Sequence, residues 1–214
     1  MPVNKAAIEK SVLEAIKLGS GRRFKQSVEL IVVFKGFDPK SPDVKFRDVV
    51  YLPKGLGKMP RIVVIADGDM LLRAKTLGVD ALGRDDIQKL DKRSAKKIAR
   101  MYDWFLVKSD LMTVVGKVLG PALGPRGKFP IPISPSANLE AVIKQYSMST
   151  RLRNKEQAWV GCRVGTEDMD PKDLVDNIAV VLEYIESKIK KPLETSCRIY
   201  VKTTMGPSVE VVME

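Results

Sequence analysis

Two threonines, a methionine and a glycine meet at the break in Tyr200-Val-Lys-Thr-Thr-Met-Gly-Pro-Ser-Val209. The pattern predicts a strand, a tight Gly-Pro turn and a returning strand. Side chains alternate faces along a strand, so Tyr200, Lys202 and Thr204 share one face while Ile199, Val201 and Thr203 share the other. Lys202 supplies a cation, Thr204 a hydroxyl that donates and accepts, and Gly206 a point where another backbone comes close. These groups suit a grip on a sugar-phosphate chain better than catalysis. Met205 has two readings: a packing residue, or a flexible apolar surface pressed against a sugar or base.

Catalytic motifs fail on spacing. The chain has no histidine, so proton transfer would fall to carboxylates, lysine or cysteine. Asp67/Asp69 and Asp85/Asp86 read more simply as loop and helix-start residues. A P-loop needs Gly, four residues, Gly-Lys and then Ser or Thr. Leu52 stands at the first position before Gly57-Lys58 and Met59 follows; around Gly127-Lys128 the same places hold Ala122 and Phe129. Asp67-Gly-Asp69 does not follow the glycine pattern of a dinucleotide fold. Cys162 and Cys197 make neither a disulfide framework nor a zinc site and read as small core residues. We therefore expect no catalytic residue, no metal and no cofactor. A nucleotide enzyme built on the central segment is the rival reading.

Charge points to a partner. The 214 residues carry a formal net charge of +11, with 44% hydrophobic and 29% charged residues. That surplus fits a polyanion: nucleic acid first, an anionic membrane surface second. A basic protein that binds nothing acidic is the plain alternative, and a nonspecific nucleic-acid chaperone is another. Residues 59–149 hold 15 Lys and Arg against 9 Asp and Glu, and the remainder 22 against 17, so charge does not say which part binds. The dense run Arg84–Arg100 reads as a solvated helix face. No stretch approaches the roughly 18 apolar residues of a membrane helix, and Met1-Pro-Val-Asn-Lys5 lacks a secretory pattern. The expected location is the cytoplasm.

Positioning elements follow from periodicity. Asn4 caps a helix with apolar Ile8, Val12, Leu13 and Ile16, ended by Gly19 and Gly21. A strand spans Ser27–Phe34, with Val28, Leu30 and Val32 opposite Ser27 and Glu29. A loop rich in Pro and Asp (Asp38–Asp43) leads to a strand at Val49–Leu52, then Leu52-Pro-Lys-Gly-Leu-Gly-Lys58 reads as a linker. The apolar runs Arg61–Ala66 and Trp104–Val107 predict strands buried on both faces. Between them come a helix at Asp69–Leu77, short Val79–Leu82 and one long basic helix at Asp85–Met101. A loop Gly120–Pro132 and a helix near Asn138–Gln145 close this α/β segment. Strands near 151–153 and 159–164 precede a helix that Asp170 caps, Pro171 starts, and Leu174, Ile178, Leu182, Ile185 and Ile189 bury. The simplest architecture is one domain built from both ends of the chain (1–57 and 150–214), with a small α/β domain, its sheet mainly parallel and its helices on both faces, inserted between them (58–149). The crossings near Gly55–Lys58 and Ser147–Thr150 are expected to act as a paired hinge.

Four motifs stand in order: Arg23-Phe24 with Ser27 and Glu29, Leu52-Pro-x-Gly-x-Gly-Lys58, Gly124-Pro-Arg-Gly-Lys-x-Pro130 and Thr203-Thr-Met-Gly-Pro-Ser208. Together they resemble the ribosomal protein L-one family, the protein of the mobile stalk of the large ribosomal subunit beside the transfer-RNA exit site. Phe129 stands where methionine is usual and Lys54 where many relatives have histidine. The charged, histidine-free composition looks more archaeal than bacterial.

The resemblance implies a mixed fold class: a split α+β domain with an antiparallel sheet made from both termini, and an inserted Rossmann-like three-layer α/β domain. It implies binding to a junction in large-subunit ribosomal RNA, and repression of translation by binding a similar structure in the protein's own messenger RNA. It also implies an indirect or transient encounter with exit-site transfer RNA, and a monomer off the ribosome. It nominates Arg23, Phe24, Ser27, Glu29, Lys202, Thr204, Met205 and Gly206 as RNA-binding residues, and Gly55, Gly57, Lys58, Arg126 and Lys128 as hinge or interdomain residues. Threonine hydroxyls suit ribose 2′-hydroxyls, whereas Arg23, Lys25 and Lys202 add unselective phosphate attraction. Glu29 either accepts from a ribose or base, or holds Arg23 or Lys25 in place. Phe24 packs on RNA or covers its own domain. The Gly124–Pro130 loop reads as an interdomain contact, a second basic surface, or a rigid end to the sheet.

Overall fold

Alternation along Ser27–Phe34 gives the strand that organises both ends of the chain: Val28, Leu30, Val32 and Phe34 are buried, and the residues between them half-buried. The computed structural model describes residues 4–38 and 41–212. Met1–Val3, and Pro39 and Lys40 of the expected Asp38–Asp43 loop, lie outside them. In chain order, α1 (Lys5–Gly19), β1 (Ser27–Phe34) and β2 (Arg47–Tyr51) come first. They are followed by β3 (Ile62–Ile65), α2 (Gly68–Thr76), β4 (Asp80–Leu82), α3 (Arg84–Gln88) and α4 (Lys92–Met101). Next are β5 (Trp104–Lys108), α5 (Met112–Leu123), β6 (Pro130–Ile133) and α6 (Leu139–Ser147). Then β7 (Ser149–Arg153), β8 (Trp159–Thr166), α7 (Pro171–Ile189), α8 (Leu193–Ser196), β9 (Cys197–Thr203) and β10 (Ser208–Val211) complete the chain. Met1–Lys58 with Met148–Glu214 makes one compact unit, and Met59–Ser147 a second.

The first unit is a six-stranded sheet in the order β10-β9-β1-β8-β7-β2, with antiparallel pairing. Its core joins Leu30, Val32 and Val201 of the sheet to Ile8 and Val12 of α1 and to Ile178, Leu182 and Ile185 of α7. In α1 the buried stripe is Ile8, Ser11, Val12, Ala15 and Gly19. Leu13, expected inside, is 50% exposed, because spacings of three and four from Ile8 lead to Ser11, Val12 and Ala15 instead. The β1–β8 register slips between Val28 and Glu29, which face Gly165 and Arg163, so Val164 is left as a bulge. Asn177, fully buried on α7, donates to the freed Val164 carbonyl at 2.8 Å.

That asparagine also overturns the reading of Leu52–Lys58 as a linker. Its amide donates to Gly55 O at 2.8 Å and accepts from Lys54 N at 3.1 Å. Arg163 donates to Leu56 O at 2.9 Å, and Leu52 and Leu56 enter the core. Gly57, at φ +69, has no room for a side chain: a Cβ would lie 2.1 Å from Thr166 Oγ1. The segment is a docked loop of the first unit. At the second crossing, Ser149 and Thr150 pair with Tyr51 and Val50, so strand rather than linker begins there.

In the second unit, β4-β3-β5-β6 form a parallel sheet. Continuous burial of Ile62–Ile65 and Trp104–Val107 is the expected sign of strands covered on both faces. Val63, Ile65, Phe105 and Val107 join a core with Ile87, Ala95, Ala99, Val115 and Leu119 from α3, α4 and α5. On the opposite face Trp104 meets Tyr146 of α6, ring centroids 5.2 Å apart.

Two expectations fail here. The long basic helix is broken at Leu90, and Asp91 caps a fresh start by accepting from Ser94 N at 2.9 Å. The Gly120–Pro132 stretch is not all loop, for α5 runs through Gly120 and Pro121 to Leu123 and Pro130–Ile133 pairs with β5. Pro121 is tolerated near the end of α5, and both prolines of β6 lie on an edge strand.

Candidate nucleic-acid interface

Pairing of β1 with β9 sets Val28 opposite Thr203 and Glu29 opposite Lys202, which gathers the two ends of the chain at one end of the sheet. The residues from Arg23 to Glu29 and from Lys202 to Gly206 are thereby brought together. The turn between β9 and β10 is closed by Gly206 N donating to Thr203 O at 3.1 Å. Thr204 is tied to β1 on two sides. Its N–H donates to Ser27 O at 3.0 Å, and its hydroxyl oxygen accepts from Ser27 N at 3.2 Å.

The hydroxyl has one proton and two weak acceptors, Ser27 O and Glu29 Oε1, each at 3.4 Å. At that length neither bond is strong, so an incoming hydroxyl can displace the Glu29 contact at little cost. Glu29 does not hold Arg23 or Lys25 in place. Lys25 pairs with Asp168 instead, which holds the Asp168 carboxyl at about 2, well below its ordinary value. Lys202 turns its ammonium onto Thr204 O at 3.1 Å. Phe24 and Met205 are 53% and 56% exposed, so neither is covering its own core.

Gly206 has an ordinary φ, and its lack of a side chain serves close approach. A Cβ there would lie 2.3 Å from Thr203 Oγ1 and 3.0 Å from the Cα of Gly19. Gly19 is the last buried position of α1, and its own Cβ would fall 2.0 Å from the same Thr203 oxygen. The backbone that comes close to the turn is thus the end of α1.

One organising residue escapes the sequence reading. Gln26 is fully buried, and its amide donates to Gly19 O at 2.7 Å and to Glu167 Oε2 at 3.1 Å while accepting from Met205 N at 3.0 Å. Its backbone N–H donates to Glu167 Oε1 at 2.9 Å, and its carbonyl accepts from Glu167 N at 3.1 Å. One amide therefore fixes the end of α1, the Arg23–Ser27 segment, the β9–β10 turn and the turn after β8. Gln26 falls one residue before the alternating pattern starts, and no periodicity marks it.

The expected hinge or interdomain cations have duties inside the second unit. Lys128 donates to Ala99 O at 3.1 Å and to Tyr102 O, capping the end of α4 with a side chain only 15% exposed. Arg126 donates to Ala122 O at 2.8 Å at the end of α5. Gly55 and Gly57 belong to the docked loop, and Lys58 is exposed beyond it. The thiols of Cys162 and Cys197 are buried and pushed up to about 12 and about 11 by desolvation, so neither is a nucleophile. Among the described residues no group of His, Cys, Asp and Glu is arranged to hold a metal, and no helix is long and apolar enough to cross a membrane.

This surface offers hydroxyls, a carboxylate, an exposed aromatic ring, a thioether and a few cations, groups that can hydrogen-bond, pack and pair with a polyanion. The chain is similar to known proteins. The chain is 45% identical over 214 residues to "Large ribosomal subunit protein uL1" of Staphylothermus marinus, covering 99% of this chain and all of that one. The protein of the same name from Aeropyrum pernix is 48% identical, covering 96% of this chain and 95% of its own. That from Hyperthermus butylicus is 47% identical over 98% and 97%. Residues 13–207 match the Ribosomal protein L1p/L10e family, and with identity sustained across nearly the whole length, the chain belongs to that family.

Proposed function

We propose that the protein is a non-enzymatic constituent of the large ribosomal subunit that binds large-subunit ribosomal RNA through the Thr203–Gly206 turn and the facing Arg23–Glu29 segment. Family membership supplies the setting, and one observation carries the placement. Thr204 is fixed by its backbone and its hydroxyl to Ser27, while Phe24 and Met205 of the same two segments stay more than half exposed. A surface already ordered before binding loses little entropy on complex formation. Hydroxyls and a carboxylate match ribose 2′-hydroxyls and base amines, the groups that distinguish a folded RNA. Arg23 and Lys25, both exposed, add salt-sensitive attraction to phosphate.

On this reading the RNA is a folded junction at the mobile stalk near the transfer-RNA exit site. The same surface takes a similar structure in the protein's own messenger and represses its translation, and contact with transfer RNA is transient. The protein acts on cytoplasmic ribosomes and is a monomer when free. The test is the affinity of parent and Thr204→Ala proteins for a structured ribosomal RNA fragment and for the messenger leader. We expect both to weaken by about 1–3 kcal/mol, the scale of a lost buried polar contact, with the fold intact. Equal affinities would remove Thr204 from the interface, and binding of the ribosomal fragment alone would remove the repressor role.

A further inference from the structure

The second unit carries nearly all of its net positive charge on one short stretch. Lys89–Arg100 holds six of the unit's 15 Lys and Arg and only one of its 9 Asp and Glu, which accounts for +5 of its +6. The one acid, Asp91, is committed to capping α4. Lys92, Arg93, Lys96, Lys97 and Arg100 are exposed and make no ion pair among the described residues, so their charge is not used to hold the fold. Six cations crowded within twelve residues repel one another, and a helix face arranged this way is relieved by an anionic partner.

The ground beside these cations is apolar. Between α4 and α5 lies a groove of about 280 Å³, floored by Leu90, Ala95, Val118, Pro121 and Ala122. Lys92 and Lys96 rim it from α4, one turn apart, and Lys117 rims it from α5. Phosphate and ribose find no polar partners on such a floor, and their desolvation there would be uncompensated. A peptide that places one or two aliphatic side chains in the groove and carboxylates against the rim satisfies both parts. Its acids at positions i and i+4 of a helix would match the spacing of Lys92 and Lys96.

We propose that the α4–α5 groove is a docking site for an acidic amphipathic helical segment of a partner protein. The site lies wholly in the second unit and does not depend on the RNA reading of the first.

The test uses the full chain and a fluorescein-labelled 15-residue helical peptide with leucines along one face and glutamates flanking them. A matched peptide has serine in place of leucine. Anisotropy should show binding of the leucine peptide, weakened at least about tenfold both by the serine replacement and by the triple change Lys92→Glu, Lys96→Glu, Lys117→Glu. Val118→Asp, which puts a charge on the floor, should have the same effect. If that variant is unfolded by circular dichroism, the serine peptide still tests the floor on unaltered protein. Equal binding of the two peptides would make the site a general cation surface and overturn the proposal. So would a charge-reversed protein that loses RNA affinity but keeps the peptide, or a parent that binds neither peptide.

Discussion

The β9–β10 turn and the outer face of α4 are both exposed, yet they are built by opposite means. The turn is neutral at its centre and fastened from beneath by one buried amide, Gln26, and by two glycines that let α1 abut it. The face of α4 is a row of exposed cations that make no ion pair among the described residues. Preorganised hydrogen-bonding groups discriminate between partners, because a misplaced group leaves a polar atom unpaired. Free cations attract any polyanion and lose that attraction as salt rises. On the proposed reading, shape recognition falls to the first unit and charge attraction to the second.

The comparison is most exposed to failure at Gly19. Alanine in the last turn of a helix gains about 1 kcal/mol of propensity over glycine. Its Cβ would sit 2.0 Å from Thr203 Oγ1, and relieving such overpacking costs about 1–3 kcal/mol or more. Overlap therefore wins, and Gly19→Ala should lower the unfolding free energy while shifting the turn enough to weaken structured-RNA binding at least about tenfold, or about 1.4 kcal/mol. Thr203 Oγ1 is buried without a hydrogen-bond partner. Thr203→Ala removes the clashing atom at little polar cost, so adding it to Gly19→Ala should restore stability and affinity together. A Gly19→Ala protein with parental affinity would show that the turn is not held by α1.

Gln26 ranks next. Gln26→Leu keeps approximate volume but strands Gly19 O, Met205 N and Oε2 of Glu167, and we expect a loss of about 1–3 kcal/mol in chemical denaturation. Affinity for the ribosomal fragment should fall with it, while the salt slope of binding stays unchanged because no phosphate contact is lost. A changed slope would mean that Gln26 alters charge placement rather than the shape of the turn. The opposite signature belongs to α4. Lys92→Ala with Lys96→Ala should leave affinity for the ribosomal fragment within about 0.5 kcal/mol, the range of surface changes away from a contact. A large loss there would put shape recognition in the wrong unit.

What the sequence made legible follows its periodicities. β1, β3, β5 and α7 stand where alternation, continuous burial and a helical stripe place them. α5 is missed because two glycines, a proline and three valines make Met112–Leu123 a poor helix former, although Val115, Leu119 and Ala122 recur at spacings of four and three. Leu52–Lys58 reads as a linker because its composition is that of a turn. Its ties to Asn177 and Arg163 join residues more than 100 positions apart, and no local pattern records them. That Phe24, Thr204, Met205 and Gly206 would stand out was legible from motif and chemistry, and the structure brings their two segments together. Their support was not legible, since a buried glutamine and a helix-ending glycine acquire meaning only when four segments meet.

The smallest expected effect lies at the rim of the turn's foundation. Lys25 sits against Asp168 and holds that carboxyl at about 2, whereas an unperturbed aspartate titrates at roughly 3.9. The folded value is the lower one, so the pair's contribution to stability is fully present above the unfolded value and is lost as pH falls through about 2. Both partners are exposed, which keeps that contribution small. Carbon-detected titration should place Asp168 near 2 in the parent and higher, toward the ordinary value, in Lys25→Ala. The difference in melting temperature between the two proteins should be constant above about pH 5 and shrink on acidification. An ordinary titration of Asp168 in the parent would mean that the ion pair is not formed in solution. The Arg23–Ser27 segment would then be held by hydrogen bonds without an ion pair, those of Gln26 to Gly19, Glu167 and Met205 and those of Ser27 to Thr204, which would widen the first unit's contrast with the cations of α4.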